Sequence, residues 1–311
     1  MDYWVGVTNP NWFEFLSTHA IDSEVNFWQP SPTPPTRKLQ EGMPFLFKLK
    51  SPYNDIAGGG YFVSFSTMPI WLAWEIFDKA NGFASFDKML QAFATSLGEL
   101  DANQEIGCTT LAAPFYLPKD RWLNVNSRWP QSIQRGKGFD LATVEGRGLW
   151  DGITEMSGLS EAIPSSFGYA VQGLPLDAGT RSAWVRQRIG QRGFRVLVTS
   201  AYRGRCAITG ENTLDVLEAA HIRPFSERQD HDVRNGLLLR ADFHRLYDRG
   251  LVSITPDLLV RVSPRIRERY VNGKAYYRLD GKPLKILPED PNSRPDLSRL
   301  EWHFEHRFQT A

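Results

Sequence analysis

The chain has little cysteine. Cys108 and Cys206 are the only two in 311 residues, too far apart and too few to build a disulfide framework or, by themselves, a four-cysteine zinc site. No uninterrupted apolar run approaches 18 residues, so no membrane-spanning helix and no membrane partner are expected. Net charge is also missing: 36 Lys and Arg stand against 35 Asp and Glu. With 41% hydrophobic and 13% aromatic residues, the chain lacks the charge-rich, aromatic-poor composition of a disordered protein. The start, Met1 to Pro10, has no basic stretch followed by an apolar core. No secretory leader is therefore expected, and a cytoplasmic, reducing location is.

What is present is unevenly spread. The length suggests two domains. Residues 1–100 hold 19 of the 39 aromatics, whereas residues 181–250 hold 13 arginines, no lysine and eight acids. Residues 181–210 carry seven arginines and no acid. This step in composition, with a Gly- and Pro-rich stretch before it, predicts a first domain over 1–155, a linker over 156–180 and a second domain over 181–311.

In the first domain, Tyr3 to Val7, Pro44 to Leu49 and Gly60 to Phe65 are rich in aromatic and β-branched residues and read as strands. Ile106–Tyr116 and Phe139–Val144 read as later strands. Asn11 to Ser17 suits a helical turn. A helix over Ile70–Ala80 has Pro69 near its start and Ile70, Trp74 and Phe77 on one face. The expected class is α+β, a small twisted or barrel-like sheet with flanking helices. In the second domain, a basic helix over 181–200 precedes two short strands, Cys206–Gly210 and Val216–Ile222. A polar loop over 224–235, a helix over 240–248, a hairpin from 259–262 and 276–286, and a terminal helix over 298–308 follow.

Three polar residues carry chemistry in this second domain. His221 ends a strand, Asn235 follows a loop and His244 lies on a helix, 14 and then nine residues apart. Cutting a phosphodiester needs a base for water, a cation at the phosphate and a group that holds the base in orientation. A strand histidine, a loop asparagine and a helix histidine can supply all three. Asp248, four residues beyond His244, shares its helix face. Capping, or pairing with Arg245 or Arg249, is as natural a role for it as metal binding. His19, His231, His303 and His306 read as ordinary surface or core residues, and Cys206 as a small buried one. The acid-free arginine run offers guanidinium forks to phosphate oxygens, with Arg186, Arg188, Arg192, Arg203, Arg205 and Arg223 as backbone-contact candidates.

The segments Glu218-Ala219-Ala220-His221-Ile222-Arg223-Pro224, Asn235-Gly236-Leu237-Leu238-Leu239 and Phe243-His244-Arg245-Leu246-Tyr247-Asp248-Arg249-Gly250 resemble the HNH nuclease motif. The resemblance implies a ββα-metal fold over about 200–255. His221 would be the general base, Asn235 the brace of its loop and His244 a metal ligand. Asp248 would be a second ligand to a magnesium or manganese ion. Relatives carry an acid or histidine where this chain has Ala220, and Glu218 is the candidate substitute ligand. Relatives with a structural zinc use paired Cys-x-x-Cys motifs; here Cys206 is followed by Thr209, and no structural zinc is expected.

The stretches Tyr3 to Trp12, Gly42 to Leu49 and Gly59 to Val63 resemble the EVE domain of the PUA-like group, whose relatives bind modified bases flipped into an aromatic pocket. An EVE-like front with an HNH-like back resembles the modification-dependent restriction endonucleases that attack 5-methylcytosine or 5-hydroxymethylcytosine DNA. The resemblance implies a double-stranded DNA substrate and, since one HNH site cuts one strand, a homodimer. The pocket candidates are Trp12, Trp28, Tyr61, Ser64, Phe65, Ser66 and Trp71, aromatics to stack a base and hydroxyls to bond its edge. Two alternatives remain open: a nicking nuclease that reads another modification or a DNA structure, and, given Ala220, a catalytically dead HNH fold that only binds DNA.

Overall fold

The computed structural model describes residues 1–98, 101–125, 129–130, 132–156, 182, 185–225, 231–270 and 273–310. Apart from residue 156, the expected linker lies outside the described residues, as does Arg181. The chain divides into two compact units, Met1–Gly193 and Phe194–Ala311.

The first unit is built on strand β1 (Tyr3–Thr8), buried along nearly its whole length. Helix α1 (Pro10–Thr18) follows at once because Asn9 caps it, accepting the Asn11 amide at 2.9 Å, and Pro10 supplies a preset first turn. Its inward face carries Trp12, Phe13 and Leu16. Then come β2 (Glu24–Gln29), β3 (Pro44–Leu49), β4 (Asp55–Pro69), α2 (Ile70–Phe77), α3 (Phe86–Leu97), β5 (Glu105–Tyr116), β6 (Leu123–Asn124), β7 (Gly136–Phe139) and α4 (Val144–Met156).

One mixed sheet of seven strands runs β2-β5-β4-β3-β1-β7, with β6 paired to β4. Only β1 and β3 are parallel; the other pairs are antiparallel. The sheet's core is aromatic. Trp12 meets Phe27 and Phe47 edge-on at 5.4 and 5.3 Å, and Phe45 lies 4.8 Å from Phe27. Burying each such ring contributes roughly 2–3 kcal/mol. Gly6 admits this packing: a side-chain carbon there would lie 2.4 Å from the Phe45 ring.

Two expectations for this unit change. The strand expected over 139–144 ends at Phe139, because Asp140 and Thr143 turn the chain and open α4. The Asp140 side chain accepts the Ala142 amide and the Thr143 hydroxyl accepts that of Gly146. The helix expected to reach Ala80 ends at Phe77 and tightens into a 3₁₀ turn. Strand β2 was not anticipated.

The basic helix expected over 181–200 is interrupted: the chain turns at 187–190 and α5 (Gln191–Ala201) starts afresh. The cause is Glu24 of β2. Its buried carboxylate accepts the Gly190 and Gly193 amides at 2.8 and 3.0 Å, a capping arrangement that complements a helix N-terminus. Burial raises the Glu24 pKa against these amides and Arg192, which lower it. A side-chain carbon at Gly193 would lie 2.3 Å from that carboxylate.

The second unit continues from α5 through β8 (Leu217–His221), β9 (Gly236–Arg240), α6 (Ala241–Asp248), β10 (Val252–Ile254), β11 (Val260–Val262), α7 (Arg265–Tyr270), α8 (Lys274–Tyr277) and α9 (Leu297–His306). The strand expected at Cys206–Gly210 is a turn, closed by Gly210 N–H to Cys206 O at 2.8 Å. The partner of β8 is β9, across the polar loop. The expected hairpin pairs β11 with β10 rather than with 276–286. That later stretch begins as the helical turn α8, and its part at 281–284 still meets 258–260 through the Leu259–Pro283 bridge and the hydrogen bonds of Val260 N–H to Lys282 O, Gly281 N–H to Val260 O and Leu284 N–H to Leu258 O. The class is α+β, as expected.

Candidate active site

The antiparallel pair β8–β9 sets His221 opposite Gly236 and Glu218 opposite Leu239. Helix α6 follows β9 without a linker. Asp242 sits in the first turn of α6, where a carboxylate complements the helix dipole. Arg240 bonds it twice, at 2.7 and 2.8 Å, and holds its carboxyl below the usual carboxylate range. Gly250 ends the helix in the left-handed conformation (φ 65°). Its amide reaches Tyr247 O and that of Leu251 reaches Leu246 O, both at 2.8 Å, the paired closure of a Schellman motif.

His221 lies at the end of β8, its ring stacked on the buried Phe194 of α5 at 3.9 Å and 7°. Glycine at 236 allows that helix to come close, since a side-chain carbon would sit 2.3 Å from Val198 and 3.2 Å from the Phe194 ring. Asn235 is 1% exposed. Its Oδ1 accepts the Arg223 amide at 2.9 Å, its Nδ2 donates to Arg223 O at 3.0 Å, and its own carbonyl accepts the Ile222 amide at 2.8 Å. The asparagine thus stitches down the two residues that follow His221.

On α6, the two ring nitrogens of His244 face two carboxylates. Nδ1 lies 2.6 Å from Glu218 Oε2 and Nε2 lies 3.4 Å from Asp248 Oδ2. A His244 ring that donates Nδ1–H to Glu218 in its neutral form turns the Nε2 lone pair toward Asp248. That donor pair suits a cation. Ligands about 2.1 Å from one ion, at a right angle or somewhat wider, lie roughly 3.0–3.5 Å apart. Among the described residues no group of three or more His, Cys, Asp or Glu is arranged to hold a metal ion. Two protein ligands nevertheless fit an ion such as magnesium, which keeps several waters and takes phosphate oxygens. Glu218 stands on the opposite edge of the ring from Asp248, in the position of a carboxylate that orients a metal-binding histidine.

One residue was not anticipated. His231, read from sequence as ordinary, is buried with its Nδ1 3.2 Å from His221 Nε2, and Phe225 stacks on it at 4.2 Å. The available signal was a third histidine in the interval between His221 and Asn235. The other histidines are structural or peripheral. His303 is buried, stacked on Tyr247 at 3.7 Å and bonded to Ser253 and Tyr247 O. His19 and His306 lie at the surface beside Phe15 and Trp302. Cys206 is buried, its sulfur accepting the Thr209 and Arg240 amides.

The arginine candidates divide between the units. In the first, Arg186 forks onto Glu41 and Arg192 bonds the Ser23 hydroxyl at 2.9 Å. Arg188 lies near Tyr61, and burial lowers its pKa. In the second, Arg203 pairs with Glu289, Arg223 stacks over Trp302 at 4.4 Å, and Arg205 is exposed at the end of the turn after α5.

The first unit holds a cavity of about 330 Å³ whose aromatic wall is Trp12, Phe27 and Trp28. Asn9, Gln29 and Gln134, the cations Lys50 and Arg135, and Val7, Pro30 and Ser31 form the rest of its lining, which holds no acid among the described residues. Both indoles are anchored, Trp12 to Asn26 O at 3.2 Å and Trp28 to Asn81 O at 3.0 Å. Of the expected pocket residues, Trp12 and Trp28 line this cavity. Tyr61, Ser64, Phe65, Ser66 and Trp71 are not among its walls; Tyr61 is a buried β4 residue and Trp71 a half-buried one on α2.

Residues 206–255 match the family model described as HNH endonuclease. This segment is an HNH endonuclease domain, which makes the chain a metal-dependent DNA endonuclease. No curated protein matches the chain. Among solved structures, similarity extends to the ASCH protein of Zymomonas mobilis, at 13% identity and TM-score 0.33 over 47% of this chain and 94% of that one. A point mutant of the same protein matches at 10% identity and TM-score 0.35, over 49% and 98%. The modification-dependent TagI restriction endonuclease matches at 15% identity and TM-score 0.28, over 90% of this chain and 74% of that one.

Proposed function

We propose that the chain is a modification-dependent DNA endonuclease that flips 5-methylcytosine or 5-hydroxymethylcytosine out of a duplex, holds it in the first unit and hydrolyses the backbone with the second. The observation that carries the cutting half is the gathering of His221, Asn235 and His244 on one strand–loop–strand–helix element inside the HNH segment. His221 takes a proton from water, Asn235 keeps its loop in place, and His244 with Asp248 would hold a magnesium or manganese ion. When bound, that ion neutralises charge at the scissile phosphate. Glu218 keeps the His244 ring turned so that Nε2 faces the ion.

The reading half is supported by the cavity. Its size suits a base, its indoles offer stacking faces, its amides match a hydrogen-bonding edge, and its cations suit flanking phosphates. Enclosing the base lets the site sense one small group on the ring. Arg203, Arg205 and Arg223 in the second unit, and Arg186, Arg188 and Arg192 in the first, are proposed to meet the DNA backbone. A double-strand break then takes two protomers, and the enzyme acts as a homodimer in the cytoplasm. The test is digestion of matched unmodified, 5-methylcytosine and 5-hydroxymethylcytosine duplexes with magnesium, manganese or chelator. Cleavage confined to modified DNA, abolished by chelator and by His221→Ala while DNA binding survives, is expected. Equal cleavage of unmodified DNA would refute the reading half, and His221→Ala cleaving like wild type would refute the cutting half.

A further inference from the structure

We propose that Gln29 is the residue with which the first unit tells a modified cytosine from the thymine-type base of the same shape: its side-chain carbonyl accepts the exocyclic amino group of the flipped base and rejects a keto oxygen in that place. This rests on the reading of the cavity as the base site.

The need for such a residue is chemical. 5-Methylcytosine and thymine carry the same methyl group on the same ring, and 5-hydroxymethylcytosine and 5-hydroxymethyluracil the same hydroxymethyl. Stacking on an indole cannot separate the members of either pair. They differ along one edge: the cytosine type offers an amino donor beside a ring-nitrogen acceptor, the thymine type a keto acceptor beside an N–H donor. A free carboxamide serves both, because it turns over and presents either end. A carboxamide held in one orientation serves one of them.

Gln29 is held. It ends β2 and lines the cavity. Its Nε2 donates to Ser31 O at 2.8 Å and to Thr33 O at 2.5 Å. Backbone carbonyls only accept, so the amino end must face them, and both of its hydrogens are spent. Oε1 is left as an acceptor, and among the described residues nothing donates to it. The loop that supplies the two carbonyls is itself fixed. Pro32, Pro34 and Pro35 stiffen it. Thr67 Oγ1 donates to Pro32 O, and the Thr33 amide to Ser31 Oγ, both at 3.2 Å. Gly107, opposite Gln29 on β5, lets the loop fold back: a side-chain carbon there would lie 2.5 Å from Ser31 O and 2.9 Å from Gln29 Cγ.

The other amides of the wall agree or stay neutral. Asn9 spends Oδ1 on the Asn11 amide as the cap of α1, which leaves its Nδ2 as a fixed donor. One fixed acceptor and one fixed donor complement the cytosine edge and oppose the thymine edge at both groups. Gln134 is exposed, and among the described residues nothing anchors its amide, so it turns to suit either base.

The test reads binding by fluorescence anisotropy, with full-length protein in chelator and labelled duplexes whose central base stands opposite an abasic site. No base pair then has to be opened, which removes pairing strength from the comparison. The central base is cytosine, 5-methylcytosine, 5-hydroxymethylcytosine, the uracil-type twin of each, or the corresponding 5-substituted 2-pyrimidinone, which lacks the amino group. Wild type is expected to hold the modified cytosine that it reads at least about tenfold more tightly than its twin, and about tenfold more tightly than its pyrimidinone. Gln29→Met keeps the length of the side chain and drops the acceptor, and is expected to bring both ratios within about twofold. A general loosening of the unit weakens all ligands and leaves the ratios in place. Wild type binding the twins within about twofold would overturn the proposal, as would Gln29→Met keeping the wild-type ratios. Cytosine bound by wild type as tightly as both modified cytosines would end the reading of the cavity and this proposal with it. If that preference stands while the twins are not separated, or while Gln29→Met still separates them, only the role of Gln29 falls.

Discussion

Replacing Asn235 by alanine tests the link between the fold and the site. The side chain is 1% exposed and forms hydrogen bonds with both the amide and the carbonyl of Arg223, at 2.9 and 3.0 Å. Each bond contributes about 1 kcal/mol net, and a half-buried partner left without one costs about 1–3 kcal/mol. The loss expected is therefore roughly 2–4 kcal/mol in urea unfolding of the second unit. The backbone of residues 222–223 is what keeps the end of β8 in place. A shift of about 1 Å in His221 is expected to cost on the order of a hundredfold in cleavage. Asn235→Asp sharpens the test. Its carboxylate still accepts the Arg223 amide but turns a negative charge on the Arg223 carbonyl, so it is expected to be no more stable than Asn235→Ala at neutral pH. A destabilisation under about 0.5 kcal/mol, with cleavage within about threefold of wild type, would refute the reasoning.

Three further outcomes follow from the same geometry. Burial holds His303 down to about 4, while the unfolded chain titrates near 6.5; the unfolded state alone takes up the proton between these values, so stability falls as pH drops from about 6.5 to about 4, by up to about 3 kcal/mol. Thermal melts across that range should show the slope, and His303→Gln should flatten it. Gly250→Ala puts a side chain at φ 65° and 1.9 Å from Arg307 O, so it should lower the melting temperature of the second unit by several degrees, on the order of 1–3 kcal/mol, and free the 307–309 backbone in hydrogen exchange. Glu218→Gln should weaken manganese binding about 10–100-fold by titration calorimetry without unfolding the domain, because it removes the carboxylate from His244 Nδ1; unchanged affinity would place Glu218 outside the metal site.

The legible parts of the fold are those where local signals agree. The strand at Pro44–Leu49 is six residues of aromatic, aliphatic and one lysine between turn formers, and its ends match the observed β3. The α6 helix follows from its histidine face and Gly250, and the motif residues identify the cleavage element because their chemistry is local. The missed features depend on distant partners. Strand β2 mixes Glu24, Asn26 and Gln29 with its apolar residues and becomes a strand because β5 pairs along its whole length. The break before α5 depends on Glu24, 166 residues from Gly190. The sequence pairs the Val216–Ile222 strand with Cys206–Gly210, its nearest neighbour along the chain; in the structure Ala207 only touches the hairpin, through its amide to Leu238 O at 2.7 Å.

The same division runs through the site. His221, Asn235, His244 and Asp248 could be read from type and spacing. What Glu218 and His231 touch could not, because each meets a histidine ring nitrogen whose direction is set by packing rather than by spacing. Glu218 was legible as a carboxylate near the site, but its edge of the His244 ring was not, and that edge separates an ion ligand from an orienting partner. In the first unit the two indoles that line the cavity, Trp12 and Trp28, come from a helix and a strand that meet only in three dimensions. Tyr61, Ser64, Phe65 and Ser66 followed one strand's sequence, and a strand alone cannot say which of its residues reaches a cavity built at another strand's end. Spacing therefore fixes which chemistry is present, and tertiary packing fixes which atom of each residue does it.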